Sequence, residues 1–202
     1  MTPTEILKHE HKIILLVLGA AEREGQSIEN TGKVHAEKVE KMIDFFSKFT
    51  DKCHHAKEEK LLFMKMQEKG MTGESGPIAV MLSEHNEGRQ RLKAIAETLP
   101  QAGQGDTQAL KKIKDNLMAY STMLRNHIEK EDNILYPMGD RLFSQEDQQS
   151  LSEAFEKVEK EEREKGFMRN TTSLLMNSQR VKIFSSLLTN YFAINQVRLH
   201  LL

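Results

Sequence analysis

The stretch Cys53-His54-His55-Ala56-Lys57-Glu58-Glu59-Lys60-Leu61-Leu62-Phe63 has a second copy later in the chain, Asn126-His127-Ile128-Glu129-Lys130-Glu131-Asp132-Asn133-Ile134-Leu135-Tyr136. Superposed, His54 falls on His127, Glu58 on Glu131, and Leu61-Leu62-Phe63 on Ile134-Leu135-Tyr136. In each copy an imidazole precedes a carboxylate by four residues, which on a helix stacks both side chains on one face within reach of a single ion. Two helices carrying such pairs supply half of a metal cage.

Outward from the repeats, apolar residues recur at helical spacing. Thr2-Pro3-Thr4-Glu5 reads as a helix start, with Thr2 as cap, Pro3 at the first helical position and Glu5 reaching back. Helix one is expected to run to about Glu24, with Leu7, His11, Ile14 and Leu18 on one stripe. A long second helix is expected from about Lys33 to Lys69, stopping at Gly70, its stripe of Val39, Ile43, Phe46 and Thr50 leading to His54 and Glu58. Pro77 opens a third helix that turns Ile78, Met81, His85, Leu92 and Ile95 inward until Pro100 ends it. Asp106 caps a fourth, whose stripe of Ile113, Leu117, Tyr120 and Leu124 runs into His127, Glu131 and Leu135 before Pro137 and Gly139 fray or kink it. Ser144-Gln145-Glu146-Asp147 resembles one more cap and predicts a fifth helix from Asp147 to about Lys165. The fold class is therefore all-α: an antiparallel up-down four-helix bundle with an additional C-terminal helix and an atypical tail.

Bulk properties agree with that class and exclude several others. Gly and Pro are scarce, at 11 and 4 of 202 residues, which favours helix over sheet. The 29 basic and 30 acidic residues leave a net charge of −1, without the basic patch that nucleic-acid binding requires, so no nucleic-acid partner is expected. The single cysteine, Cys53, forbids an intrachain disulfide and suits a reducing compartment. No apolar run approaches the roughly 20 residues that span a bilayer, and the N-terminus lacks a signal-peptide pattern, so the expectation is a cytoplasmic protein with no membrane partner.

The candidate metal ligands are His11, His54, Glu58, His85, His127 and Glu131, all on inward stripes. A lone core histidine is more often merely hydrogen-bonded than ligating. Six such groups together are another matter, because buried ionised groups need partners and a cation satisfies many acceptors at once. Imidazole with carboxylate suits iron, manganese or zinc. Two shared glutamates with terminal histidines imply a pair of ions. His55 and Glu59 form a competing pair one residue on, but the second copy has Ile128 where the first has His55, which places His55 behind the ligands or near the entrance. His9 and His35 read as surface residues, and Cys53 as a small buried residue.

No histidine has a glutamate three positions before it, so the Glu-x-x-His signature of ferritin-like carboxylate bundles is missing. The segments Glu10-His11-Lys12-Ile13-Ile14, His54-His55-Ala56-Lys57-Glu58-Glu59, Gly76 to His85, and His127-Ile128-Glu129-Lys130-Glu131-Asp132 instead resemble the hemerythrin-like, or HHE cation-binding, family. The resemblance implies a four-helix bundle over residues 1–167, holding two non-haem iron ions with an oxo or hydroxo bridge. Glu58 and Glu131 would bridge, and His11, His54, His85 and His127 would be terminal ligands. It also implies a small diatomic ligand or peroxide as partner. Oxygen-carrying members have two histidines four apart on the third helix, whereas here His85 has Met81 before it and Arg89 after it. That departure argues against reversible oxygen carriage by the usual scheme. It leaves binding or sensing of O2, NO or peroxide, iron handling, an enzyme acting on peroxide or nitric oxide, and a metal-stapled structural module.

From Met168 onward acidic residues vanish and the helical pattern is lost. Residues 168–202 are expected to be a product of a shifted reading frame. Codons can be chosen for Met168 to Gln179 that, read one base earlier, give His-Glu-Lys-Tyr-His-Lys-Leu-Ile-Asp-Glu, a peptide similar to the family's continuation. A genuine C-terminal extension is the alternative, and the gene's codons decide between them.

Overall fold

Five helices account for the secondary structure among the described residues, 1–164, of a computed structural model. They are α1 (Pro3–Thr31), α2 (residues 36–68), α3 (Gly76–Gly103), α4 (residues 107–142) and α5 (Gln145–Glu164). The tail from Met168, and with it the shifted-frame reading, lies outside the described residues. No described helix is long and apolar enough to cross a membrane.

The starts of the helices follow the capping residues. Thr2 Oγ1 accepts from the Glu5 N–H at 3.2 Å while the Glu5 carboxylate accepts from the Thr2 N–H at 2.8 Å, a reciprocal pair that satisfies two otherwise orphaned donors. Asp106 does the same work for α4 by accepting from Gln108 and Ala109 N–H. Ser144 and Asp147 exchange hydrogen bonds at the start of α5.

The ends of the helices differ from expectation where packing outweighs local preference. α1 passes Gly25 and stops at Thr31, before Gly32 in the left-handed region at φ 62°. Gly25 is retained inside the helix because α4 approaches it closely: a Cβ there would lie 2.9 Å from Met118 Sδ. α3 runs through Pro100 to Gly103, since Leu99 and Ala102 are buried and hold the last turn against the core. α4 likewise continues through Pro137 to Leu142, burying Tyr136 and Gly139.

α2 and α4 share an irregularity that matters for the site. Helix α2 holds two π-helical segments, Phe46–His55 and Glu58–Leu62, and α4 holds one, Glu131–Leu135. The sequence repeat is thus a structural repeat. The Phe63 N–H reaches back five residues to the Glu58 carbonyl, and the Tyr136 N–H does the same to Glu131. Such turns are rare and concentrate where a helix must re-aim side chains.

Packing divides the interior into two apolar clusters. The larger, built around Ile14, Leu18, Phe45, Ile95, Ile113 and Tyr120, fills one end of the bundle. The smaller, around Leu7, Leu62, Met66, Met81, Tyr136 and Phe155, fills the other and includes residues of α5. On every bundle helix the histidines and glutamates lie in sequence between residues of the two clusters. They form a polar layer sealed by hydrocarbon on both sides, where an unpaired charge is costly.

Candidate metal centre

His11, His54, His85 and His127 converge in this layer as expected, and each is fixed by a carboxylate from a neighbouring helix. Nδ1 of His11 lies 2.8 Å from Asp132, Nδ1 of His54 2.8 Å from Glu10, Nδ1 of His85 2.7 Å from Glu59, and Nδ1 of His127 2.9 Å from Glu84. A carboxylate accepts a proton-bearing Nδ1, which leaves Nε2 as the lone-pair nitrogen. Those Nε2 atoms face one another in pairs, His11 with His54 and His85 with His127, each pair 3.0 Å apart. Two lone pairs at that separation repel unless a cation or proton stands between them. A cation held by both nitrogens of a pair would remove that repulsion.

The two glutamates span the pairs. Glu131 places Oε2 3.3 Å from His11 Nε2 and Oε1 3.2 Å from His127 Nε2. Glu58 places Oε1 3.7 Å from His54 Nε2 and Oε2 3.4 Å from His85 Nε2. Both residues are fully buried, and both oxygens of Glu131 and Oε2 of Glu58 have no hydrogen-bond partner. Oε1 of Glu58 accepts from the Tyr136 hydroxyl at 2.5 Å. Donor atoms of His11, His54, Glu58 and Glu131 lie within 4.8 Å of one another, and so do those of His55, Glu58, His85 and His127. The donor set and its orphaned oxygens therefore fit two cations sharing Glu58.

His55, which the sequence puts behind the ligands or near the entrance without settling whether it joins them, lies among the donor atoms. On a regular α-helix, neighbours 54 and 55 point about 100° apart, so only one can face the ligands. The π-helical segment that ends at His55 turns both inward. His55 is buried, stacks on His85 with ring centroids 3.8 Å apart, and leaves both ring nitrogens without a hydrogen-bond partner. It belongs to the donor cluster rather than behind it. Glu59, its competing partner, is turned outward to hold His85 and Arg89. Arg89, four residues after His85, bridges Asp51 and Glu59 over this side. A cavity of about 10 Å³ lies beneath it, lined in part by His55, His85 and Gly88, and has room for about one water-sized molecule.

The charges of the cluster are set by burial first. Burial pushes the His54 and His55 imidazoles well below their ordinary value, so both stay neutral, and it lowers His85 as well. Burial also opposes a charge on His127, but Glu131 and Glu84 overcome it and raise His127 to about 9. Glu58 is pushed well up by burial and by the nearby charge of Glu131. Glu131 resists its own burial and is held well down by His127 and His11. Two carboxylates this close cannot both ionise without compensating cations.

The outer carboxylates stand beside the ligands in sequence, and of them only Glu59 was weighed from the sequence, as a partner of His55. Glu10 and Glu84 each stand just before a histidine, and Glu59 and Asp132 each follow a site glutamate. Lys57 and Tyr136, both fully buried, were not singled out either. His35 is a surface residue as expected, 52 % exposed and held by Glu24, whereas His9 is half-buried. Cys53 is buried, and burial pushes its thiol up to about 12, which suits a packing residue rather than a sulfur ligand.

A helical bundle enclosing paired imidazoles and shared carboxylates defines a metal-binding class of protein. The family model described as the hemerythrin HHE cation binding domain matches residues 2–139, and the chain belongs to that family. No curated protein and no solved structure matches the chain.

Proposed function

We propose that this chain is a non-haem di-iron protein of the hemerythrin-like kind that binds or senses O2, NO or peroxide. The observation that carries the reading is the geometry of the two Nε2 pairs. Four imidazoles have their Nδ1 atoms committed to carboxylates, which turns their Nε2 atoms toward one another and toward Glu58 and Glu131 as one convergent donor set. His11, His54, Glu58 and Glu131 would hold one ion, and His55, His85, His127 and Glu58 the other. When bound, an iron pair supplies electrons and open coordination positions to a small oxidant or diatomic molecule.

The chain's own residues supply the rest. The apolar clusters on either side of the layer exclude water, Arg89 covers the one-molecule cavity beside His55 and His85, and Tyr136 holds Glu58 in place. The small volume of that cavity argues against any large substrate. Iron is the cation proposed here, in keeping with a match to a cation-binding family and a mixed imidazole and carboxylate donor set, and a cytoplasmic location accords with the lone buried cysteine.

The test is optical. Protein loaded anaerobically with Fe(II) is exposed separately to O2, NO and peroxide, and the reading expects a new absorption band with at least one of them. Rapid gas evolution from peroxide would favour the enzyme reading over binding. Metal uptake with no spectral response to any of the three would leave only a metal that staples the bundle.

A further inference from the structure

The two halves of the centre are related by the sequence repeat, yet among the described residues only one is tied to α5 by an ion pair. Lys57 and Lys130 occupy the same place in the two copies. Each donates to the glutamate that fixes a histidine: Lys57 to Glu10, which holds His54, and Lys130 to Glu84, which holds His127. There the likeness stops. Lys57 is fully buried, lies 5.5 Å from the centroid of the Phe155 ring, and donates a second hydrogen bond to Glu159 of α5 at 3.0 Å. Lys130 is 36 % exposed, and Glu84 is 21 % exposed. A buried ammonium cannot follow one carboxylate away from another without leaving charge uncompensated, whereas an exposed pair can exchange partners with water. The docking of α5, the placement of Glu10 and the aim of His54 are therefore tied together by directional contacts. Lys130 and Glu84 are part-exposed instead, and among the described residues Lys130 makes no ion pair with α5.

We propose that Glu159, acting through Lys57 and Glu10, is a positioning residue for His54, and that it makes the ion position of His11 and His54 the retained one of two unequal positions. The proposal rests on the metal reading above. α5, which supplies Glu159, lies beyond residues 2–139, the stretch matched by the family model. Because coupling is reciprocal, an ion in that position also tightens the docking of α5.

The experiment uses the full chain loaded with Co(II), whose visible bands report ligand geometry. Chelator is added in excess and metal loss is followed optically, while hydrogen exchange reads the amides of α5. Wild type is expected to lose metal in two phases, with α5 exchanging more slowly in the loaded protein. Glu159→Leu should speed the slow phase by about tenfold or more and shift its band, the size of effect that outer-sphere partners of a metal ligand exert. Glu159→Gln, which keeps an acceptor for Lys57, should restore most of the slow phase, and Lys130→Met should leave that phase unchanged. A single release phase in wild type, a slow phase within twofold of wild type in Glu159→Leu, or an equal effect from Lys130→Met would each overturn the proposal. Failure of wild type to take up Co(II) or Fe(II) would instead overturn the metal reading on which it rests.

Discussion

Replacing His55 by leucine should strengthen the metal-free protein while weakening its hold on metal. The His55 ring is buried, and neither of its nitrogens has a hydrogen-bond partner; the nearest carboxylate, Asp51, is 3.7 Å from Nδ1, too far to count. Each unsatisfied buried polar atom costs roughly 1–3 kcal/mol, so removing both gains about 2 kcal/mol at the low end of that range. Loss of the stacking contact with His85, at 3.8 Å between centroids, subtracts roughly 0.5–1.5 kcal/mol. The balance is about 1 kcal/mol in favour of leucine, or roughly 2–4 °C in Tm for a chain of this size. Metal affinity should move the other way by at least the roughly 10–100-fold that loss of an outer partner costs, because a donor atom itself is gone. Urea unfolding in the presence of chelator measures the first quantity, and titration with Fe(II) under argon the second. A variant that is less stable without metal, or that binds metal within twofold of wild type, would refute the placement of His55 among the donors.

Other consequences concern the supports of the site. Lys57→Met leaves Glu10 and Glu159 facing each other without their shared cation, and should lower the unfolding free energy by about 3–5 kcal/mol in chelator; a change below about 1 kcal/mol would contradict the buried triad. Tyr136→Phe removes the hydroxyl that donates to Glu58 and should cost roughly 0.5–1.5 kcal/mol in the same assay, the usual net worth of a hydrogen bond between neutral groups, since Glu58 is held protonated without metal. Asp147, at the start of α5, is held down at about 2 by Lys69 and the Ser144 N–H, below its ordinary 3.8. A depressed carboxylate stabilises fully above its unfolded value and loses that contribution as pH falls through the folded one, so α5 should loosen between about pH 4 and 2. Hydrogen exchange across α5 should show this, and Asp147→Asn should remove the pH dependence.

Much of this was legible in the sequence because it depends on period and spacing. The apolar stripes gave the helices, and the repeated imidazole and carboxylate four apart gave six residues that the structure brings into one layer. What escaped depended on departures from the ideal helix. His55 cannot be placed by an α-helical phase, because the segment Phe46–His55 is not α-helical, and nothing in its composition announces the wider turn. The helices expected to end at Glu24 and Pro100 run on to Thr31 and Gly103 for the opposite reason. Local signals favoured stopping, while close contact at Gly25 and burial of Ala102 favoured continuing. The partnership of Lys57 with Glu159 spans 102 residues, a separation at which pattern reading has no purchase.

The most direct measurement is metal content by elemental analysis, on wild type and on Glu58→Ala, Glu131→Ala and His35→Ala purified side by side. Two iron ions per chain are predicted for wild type and His35→Ala, and clear loss of metal for both glutamate variants, since each carboxylate reaches both histidine pairs. Full occupancy in both glutamate variants, or wild-type protein that takes up no metal when iron is supplied, would contradict the shared-carboxylate centre.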